Sequence, residues 1–218
     1  MTPTNWGTYL VTQASISKGR STPEIVRAAI DGGIDAVQLR EKETSARSRY
    51  ELGLELRELT ADAGVDLIVN DRVDIAEAIG ADGVHVGQSD LPVSVARDLL
   101  GPEAIVGCSA STVAEARRAE ADGADYLGVG SVYGTSSKDV PEAETGVGPE
   151  RIAKVAEAVS IPVVGIGGVT ADNAGPVVEA GAVGVAVISE ITAVDDPVDA
   201  TADLAETVET AKNLEHRE

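Results

Sequence analysis

The sequence predicts an α/β fold in which short strands alternate with helices. Eight short apolar segments recur along the chain, and amphipathic stretches with helical spacing separate them. The 218 residues allow about 27 residues for each strand–helix unit. The core must be built from Ala, Val, Leu and Ile, because the chain has no Phe, one Trp and four Tyr. These observations favour a single-domain (β/α)₈ TIM barrel, with a doubly wound open sheet as the alternative.

The predicted strands are short apolar runs bounded by polar residues or glycine. They are Thr8–Gln13, Ala36–Glu41, Leu67–Asn70, Gly83–Gly87, Ala104–Ser109, Tyr126–Val132, Pro162–Gly167 and Gly184–Ser189. No Gly-x-Gly-x-x-Gly motif follows the first strand, which weakens a dinucleotide-binding interpretation.

The predicted helices have the usual start and stop signals. Several begin with Ser, Thr or Asp shortly before Pro, as at Ser21, and several end at Gly, as at Gly64. Residues 1–218 are expected to form one domain, with a frayed tail at 213–218. The helices are Pro23–Asp31, Ala46–Ala63, 73–79, Val93–Leu100, Thr112–Ala121, Pro149–Val159, Asn173–Ala180 and Pro197–Leu214.

Charge and composition exclude several classes of partner. The formal charge of −20, from 37 acidic and 17 basic residues, argues against nucleic acid and anionic membranes. No apolar run approaches the roughly 18 residues of a membrane span, and no signal peptide is evident. The single Cys108 excludes an intramolecular disulfide and favours a cytoplasmic protein. The acid-rich, Lys-poor composition suggests adaptation to high salt, and a homo-oligomer is left open.

The segment VQLREK, residues 37–42, is the centre of the functional prediction. Side chains alternate between the two faces of a strand, so Gln38, Arg40 and Lys42 share one face. Two cations on one face of so acidic a chain point to an anion-binding site. The alternative is a solvated face of an edge strand.

The active site of such a barrel lies at the carboxyl ends of its strands, where this chain has further polar residues. Asp71 and Asp90 end neighbouring strands, and two carboxylates facing one pocket suit Mg²⁺. Each Asp alone could instead cap the helix that follows it. The polar residues at the other strand ends are Asn70, Ser109, Thr135, Ser136, Ser137, Lys138, Gly168 and Ser189.

Several single features allow two interpretations. Gly167-Gly168 is either a nest of backbone N–H groups for phosphate or a tight turn. The long stretch 134–148 is typical of a lid. His85 is interpreted as a buried core histidine rather than a base, and Cys108 as a small apolar residue. Gly128 and Gly130 could leave room for a ring inside the barrel.

Six motifs carry a resemblance to a known family. VQLREK, VNDR, GVHVGQSD, VGCSA, DYLGVGSVYGTSSK and VVGIGGV, in that order, resemble thiamine phosphate synthases between about Tyr9 and Ser189. The resemblance implies a (β/α)₈ barrel that joins hydroxymethylpyrimidine diphosphate to hydroxyethylthiazole phosphate. It also implies release of pyrophosphate, use of Mg²⁺ and a dissociative substitution. One departure is Gly134, where the family usually has Pro.

The resemblance also implies residue roles. Asp71 and Asp90 would hold Mg²⁺, and Arg40, Lys42 and Lys138 would be catalytic. The pyrimidine diphosphate would contact Gln38, Arg40, Lys42, Asn70, Ser109 and Lys138. The thiazole phosphate would contact Thr135, Ser137, Gly168, Ile188 and Ser189, and Ser136 is counted among the substrate-binding residues. The alternatives are a thiazole tautomerase on the same barrel and a non-catalytic sensor of a phosphate ligand.

Overall fold

The chain folds into a closed barrel of eight parallel strands, each paired with its sequence neighbours and the last paired with the first. The computed structural model describes residues 3–134 and 146–215. Closure confirms the predicted (β/α)₈ barrel and excludes the open sheet.

The strands are shorter than predicted at most of their carboxyl ends. They are β1 Thr8–Val11, β2 Ala36–Leu39, β3 Asp66–Asn70, β4 Gly83–Val86, β5 Ile105–Ser109, β6 Tyr126–Val129, β7 Val163–Ile166 and β8 Gly184–Val187. The difference is largest at β6, which was expected to reach Val132. The chain there still follows β7, since Val132 N donates to Ile166 O and Tyr133 N to Gly167 O. Buried apolar residues that continue beyond the ladder, such as Val132, therefore explain the longer prediction.

The helices pack around the outside of the barrel. They are α1 Thr22–Asp31, α2 Ala46–Ala63, α3 Val73–Ile79, α4 Val93–Leu100, α5 Val113–Ala121, α6 Pro149–Ala156, α7 Gly175–Glu179, α8 Ser189–Thr192 and α9 Pro197–Glu215. Capping boxes begin α1, between Ser21 and Glu24, and α5, between Thr112 and Glu115. Of the described helices, none combines the length and apolarity needed to cross a membrane.

The last helix extends further than predicted. It is helical through Glu215, and the Asn213 side-chain amide donates to Glu209 O at 2.9 Å. The helix thus includes 213–215, and the frayed tail stays a prediction. Residues 216–218 lie outside the described part of the chain.

Two buried clusters form the core. The larger one lies between the outer faces of the strands and the helices, and consists mainly of Val, Ala, Ile and Leu. The smaller one fills the barrel interior and contains Trp6, Tyr9 and Tyr126. The Trp6 ring centroid lies 4.9 Å from that of Tyr126 and 5.1 Å from that of Tyr9. Gly107 makes room for them, since a Cβ there would lie 2.2 Å from Tyr126 Cζ.

Three aspartates brace the amino ends of the strands. Asp35, Asp82 and Asp125 each immediately precede an even-numbered strand and accept a backbone N–H from the start of the strand before it. Arg57 donates to Asp82, and Arg97 to Asp125. We call these three carboxylates the strand-start aspartates. They tie β1 to β2, β3 to β4 and β5 to β6 at the end of the barrel opposite the predicted active site.

Candidate active site

A cavity of about 320 Å³ opens at the carboxyl ends of the strands. The polar side chains in its wall come mostly from the ends of β2 to β5. Those among them that the sequence predicted are Gln38, Arg40, Lys42, Asn70, Asp71, Asp90 and Ser109. The structure therefore brings together the residues that were expected to hold the pyrimidine diphosphate and the metal ion, apart from Lys138.

The end of β2 supplies the cations. Gln38 lies within the strand and is 5% exposed, whereas Arg40 and Lys42 follow the strand's last residue. Glu41 points the other way, where its carboxylate accepts from Ala14 N at 3.1 Å and from Thr22 Oγ1 at 3.1 Å. The predicted alternation thus continues beyond the strand and keeps the Glu41 charge out of the cavity wall.

Lys42 and Asp71 form an ion pair across the ends of β2 and β3. Lys42 Nζ lies 3.2 Å from Asp71 Oδ2, and the side chains are 55% and 27% exposed. Asp71 has a positive φ of 62°, which is uncommon for a residue other than Gly. The backbone N–H of Asp71 donates to His85 O at 2.9 Å, which holds this turn against β4.

Asp71 also faces Asp90 from the neighbouring strand end. Both side chains line the cavity, where the Asp90 carboxyl group lies close enough to shift the pKa of Asp71. Burial raises the pKa of Asp71, contact with Asp90 raises it further, and Lys42 opposes the shift. Two carboxyl groups held this close favour a shared proton or a bound cation.

Neither aspartate caps the helix that follows it, so the capping alternative is wrong. The N-cap residue, which directly precedes the helix, is Arg72 for α3 and Pro92 for α4. Neither makes a side-chain capping bond. Asp90 instead accepts from Gly87 N at 2.7 Å and closes its own turn.

The pair fits a cation that is only partly coordinated by protein. Mg²⁺ commonly binds one or two carboxylates and completes its shell with water and substrate phosphates. Within residues 3–134 and 146–215 there is no cluster of three or more His, Cys, Asp or Glu side chains able to hold a metal ion. Any ion at Asp71 and Asp90 would therefore leave coordination positions for water or substrate oxygens.

The floor of the cavity is a chain of buried hydrogen bonds. It runs from Gln38 through Tyr9, Tyr126 and His85 to Ser109, with heavy-atom distances of 2.8 to 3.0 Å. Burial raises the pKa of both phenols, so both stay protonated. His85 is 8% exposed and both its ring nitrogens have partners. This agrees with the interpretation of His85 as a buried core residue, although its ring also lines the cavity.

Two further interpretations concern residues beside the floor. Cys108 is buried, and burial raises the pKa of its thiol to about 11, so it is a neutral small side chain as expected. Part of the room above Gly128 is occupied by His85, since a Cβ at Gly128 would lie 3.0 Å from His85 Cε1.

The β7 side of the cavity mouth is a tight glycine turn. Gly167 and Gly168 have φ values of 107° and 64°, which favour glycine. A Cβ at Gly168 would lie 2.6 Å from Gly134 O, so the turn packs directly against the segment that follows β6. Asn173 fixes the turn by donating to Gly168 O at 3.1 Å and accepting from Thr170 N at 2.8 Å. The geometry agrees with the tight-turn alternative and leaves the phosphate nest a prediction.

The remaining predicted residues fall into two groups. Ile188 belongs to the inner core, and Ser189 begins α8 instead of ending β8, because the backbone leaves the strand conformation at Ile188, with φ −117° and ψ −77°. Thr135, Ser136, Ser137 and Lys138 lie outside the described residues, as does most of the predicted lid at 134–148.

Comparison with known proteins identifies the family. The model of a family described as thiamine monophosphate synthase matches residues 8–191, most of the chain. The chain belongs to the thiamine monophosphate synthase family. A thiamine-phosphate synthase of Natronomonas pharaonis is 63% identical over 205 residues, which cover 94% of this chain and 96% of that relative. One of Haloarcula marismortui is 61% identical over 206 residues, covering 94% and 98%.

A solved structure shows the same family and fold. The thiamine phosphate pyrophosphorylase from Pyrococcus furiosus is 40% identical, has a TM-score of 0.87, and the match covers 96% of this chain and 98% of that one. As a member of the thiamine monophosphate synthase family, this chain is an enzyme. It is a transferase of thiamine biosynthesis and has a TIM-barrel fold.

Sequence reasoning missed the aromatic floor of this family member. Tyr9, His85 and Tyr126 line the cavity, and so do the apolar side chains of Val164 and Ile166. Period two within each strand was the available signal, since Tyr126 precedes Gly128 by two residues and therefore shares its inward face. The pairing of the three polar rings depends on the register around the barrel and has no local signature.

Proposed function

We propose that this chain joins hydroxymethylpyrimidine diphosphate to hydroxyethylthiazole phosphate, giving thiamine phosphate and pyrophosphate with Mg²⁺ as cofactor. The observation that carries the proposal is the convergence of Arg40, Lys42, Asp71 and Asp90 on one cavity. Two cations and a pair of carboxylates able to share a metal ion form a diphosphate site. Family membership alone does not assign these residues to such a site.

The local charge explains how so acidic a protein could hold a diphosphate. With a formal charge of −20, the molecule as a whole repels an anionic ligand, so attraction must be local. Arg40 is about half buried, and its planar guanidinium can grip two phosphate oxygens at once. Lys42 is already paired with Asp71 and could shift to a phosphate once Asp71 binds a cation.

Asp71 and Asp90 would hold the Mg²⁺ ion. When bound there, the ion would neutralise charge on the diphosphate and make it a better leaving group. Lys42 lies beside the pair and Asn70 lies next to Asp71 in the chain, so both are placed to orient the diphosphate.

The chemistry requires little of the protein beyond binding and charge stabilisation. The thiazole ring nitrogen brings a free electron pair, which forms the new C–N bond to the pyrimidine methylene carbon. The C–O bond breaks and its electron pair leaves on the diphosphate, so no proton has to move. Arg40, Lys42 and Lys138 would stabilise the growing charge of that leaving group, as a dissociative substitution requires. Neutral phenols and a paired His85 in the floor suit a site without a general base.

The thiazole phosphate is assigned to the opposite side of the mouth. Gly168, Ile188 and Ser189 follow β7 and β8 closely in the chain, just after the cavity-lining residues Ile166 and Ala186. The segment carrying Thr135, Ser136, Ser137 and Lys138 follows β6 and is proposed to complete this side. This division keeps the nucleophile and the leaving group on opposite sides of the reacting carbon.

We further propose a cytoplasmic location, since one buried cysteine suits a reducing compartment. The proposal does not depend on whether the enzyme acts as a monomer or a homo-oligomer.

The test is incubation of the purified chain with both substrates and Mg²⁺, with thiamine phosphate and pyrophosphate measured together. Equal amounts of the two products are expected. Isomerisation of a thiazole phosphate without use of the diphosphate would indicate a tautomerase instead. Tight binding of either phosphate without turnover would indicate a sensor.

A further inference from the structure

We propose that the buried hydrogen-bond chain under the cavity fixes which cavity atoms donate and which accept, and so selects an aminopyrimidine over its oxo counterpart. We call this chain the floor relay; it consists of Gln38, Tyr9, Tyr126, His85 and Ser109. The inference rests on the proposed function and adds positioning residues that do not themselves react.

The floor relay is continuous and shielded from water. Gln38 Nε2 lies 2.8 Å from Tyr9 Oη, which lies 3.0 Å from Tyr126 Oη. Tyr126 Oη lies 2.9 Å from His85 Nδ1, and His85 Nε2 lies 2.9 Å from Ser109 Oγ. Tyr126 is 0% and Tyr9 2% exposed, so bulk water cannot replace a missing partner in the middle.

With the Gln38 amide nitrogen as donor to Tyr9, we assign one consistent direction to the other three bonds. The Gln38 amide nitrogen donates to Tyr9, so the single hydroxyl hydrogen of Tyr9 is free to donate to Tyr126. In this direction Tyr126 donates to the unprotonated Nδ1 of a neutral His85. His85 therefore carries its hydrogen on Nε2 and donates it to Ser109.

The two ends of the floor relay present opposite groups to the cavity. Gln38 keeps its carbonyl oxygen as an acceptor, and Ser109 keeps its hydroxyl hydrogen as a donor. Both residues line the cavity. An aminopyrimidine supplies the complement, an N–H group and a ring nitrogen with a lone pair. In the oxo counterpart the donor and acceptor exchange places, and a ring anchored by its diphosphate at Arg40 cannot turn over to restore the match.

The floor relay couples the acceptor at the Gln38 end to the donor at the Ser109 end. The arrangement at each end therefore depends on all five side chains. Reversing one end requires every hydrogen in the chain to shift, because each buried phenol has one hydrogen and both its neighbours occupied. Breaking the relay in the middle frees each half to reverse alone. His85 could then move its hydrogen to Nδ1 and accept from Ser109, and the Gln38 amide could rotate.

The test compares kcat/KM for the amino and oxo forms of the pyrimidine diphosphate in wild type and in Tyr126→Phe. Phe keeps the ring against Trp6, whose centroid is 4.9 Å away, and removes only the hydroxyl. The preference for the amino form should fall by at least about tenfold, mainly because the oxo form gains. Tyr50→Phe, an exposed hydroxyl on α2, is the matched control and should leave the preference unchanged.

An unchanged preference for the amino form in folded Tyr126→Phe would overturn the proposal. Equal losses of kcat/KM for the two forms would also overturn it, because a purely structural role of Tyr126 predicts equal losses. Tyr9→Phe breaks the relay at another junction and should reproduce the effect, which covers a Tyr126 variant that fails to fold. Equal affinity of wild type for the two forms in calorimetry would overturn it without any variant. Wild type that makes thiamine phosphate but shows no preference refutes the relay alone, whereas wild type without turnover refutes the proposed function as well.

Discussion

Asp71 and Asp90 illustrate how single residues acquire a role from their neighbours. Each was compatible with helix capping in the sequence, and neither is the N-cap residue of the following helix in the structure. Burial and the facing carboxyl group raise the pKa of Asp71. A cation bound near Asp71 would offset the repulsion from the facing carboxyl group and favour the charged form of Asp71.

We expect Asp71→Asn to raise the Mg²⁺ concentration for half-maximal rate by at least about tenfold. The amide keeps the shape but loses the charge that would hold the ion. Turnover measured across a Mg²⁺ titration checks this. Asp74→Asn is the matched control, because Asp74 is 64% exposed and pairs only locally with Arg72. An unchanged Mg²⁺ requirement in Asp71→Asn would remove Asp71 from the metal site.

The residue-scale predictions succeeded where alternation along one strand was enough. Arg40 and Lys42 line the cavity and Glu41 does not, as the period of two requires. The floor relay was not predicted, because the contact between Tyr9 and Tyr126 joins residues 117 apart in the chain. Such contacts are set by barrel closure and not by local sequence.

At the scale of elements, the loop after β4 is held by a brace to β5 and α5. Gln88 Nε2 donates to Ser109 O at 2.7 Å, and Arg118 donates to Gln88 Oε1 at 2.7 Å. The same loop carries Asp90, whose turn is closed by Gly87 N. The brace therefore positions Asp90, one of the two proposed Mg²⁺ ligands, without being a ligand itself.

Removing the brace should weaken Mg²⁺ binding while leaving kcat at saturating Mg²⁺ unchanged. We expect Gln88→Ala and Arg118→Ala each to raise the half-saturating Mg²⁺ concentration by about tenfold. The measurement is the rate as a function of Mg²⁺ concentration. Arg117→Ala, next to Arg118 on α5 and bonded to Ala158 O instead, serves as the control. A fall in kcat that excess Mg²⁺ does not relieve would count against the brace.

The strand-start aspartates should matter for stability and not for catalysis. Asp82→Ala leaves Leu67 N–H and Arg57 without their partner, so the free energy of unfolding should fall by about 1–3 kcal/mol. Urea unfolding measures this change, and kcat/KM should stay at the wild-type value. The same substitution at Asp98, which is exposed on α4, should change neither quantity. Loss of activity in folded Asp82→Ala would show that the two ends of the barrel are coupled.

Some helix boundaries were predictable from the sequence. The bounds of α2 and α4 match the prediction, and α2 ends at Gly64 with a positive φ of 69°. Strand ends were less predictable, because apolar residues such as Val132 continue beyond the ladder into buried loops. The short α8 was missed because four residues carry too little periodicity.

At the scale of the whole molecule, the acidic surface is the dominant feature. A formal charge of −20 gives self-repulsion that salt screens, since the Debye length falls to about 3 Å at 1 M. We expect Tm to rise by at least about 5 °C between 0.1 and 2 M KCl. The double variant Asp203→Asn and Glu206→Gln, both exposed on α9, should gain less from salt. A Tm that does not respond to KCl would contradict adaptation to high salt.

The central claim concerns the whole barrel mouth, which is divided into a diphosphate side at β2 to β4 and a thiazole phosphate side at β7 and β8. In this proposal Arg40, which lines the cavity just after the end of β2, belongs to the first side only. Because a hydrogen bond to a charged group contributes about 1.5–3 kcal/mol, Arg40→Gln should lower kcat/KM for the diphosphate by about 10–150-fold. Arg47→Gln, with an 87% exposed side chain on α2, is the control and should have no effect.

The most direct measurement is calorimetric titration of each ligand separately, with Mg²⁺ present, into wild type and Arg40→Gln. The account predicts that the variant loses affinity for the pyrimidine diphosphate and keeps the wild-type affinity for the thiazole phosphate. Loss of thiazole phosphate binding with intact diphosphate binding would reverse the two sides. Absence of diphosphate binding in the wild type would contradict the proposed reaction itself.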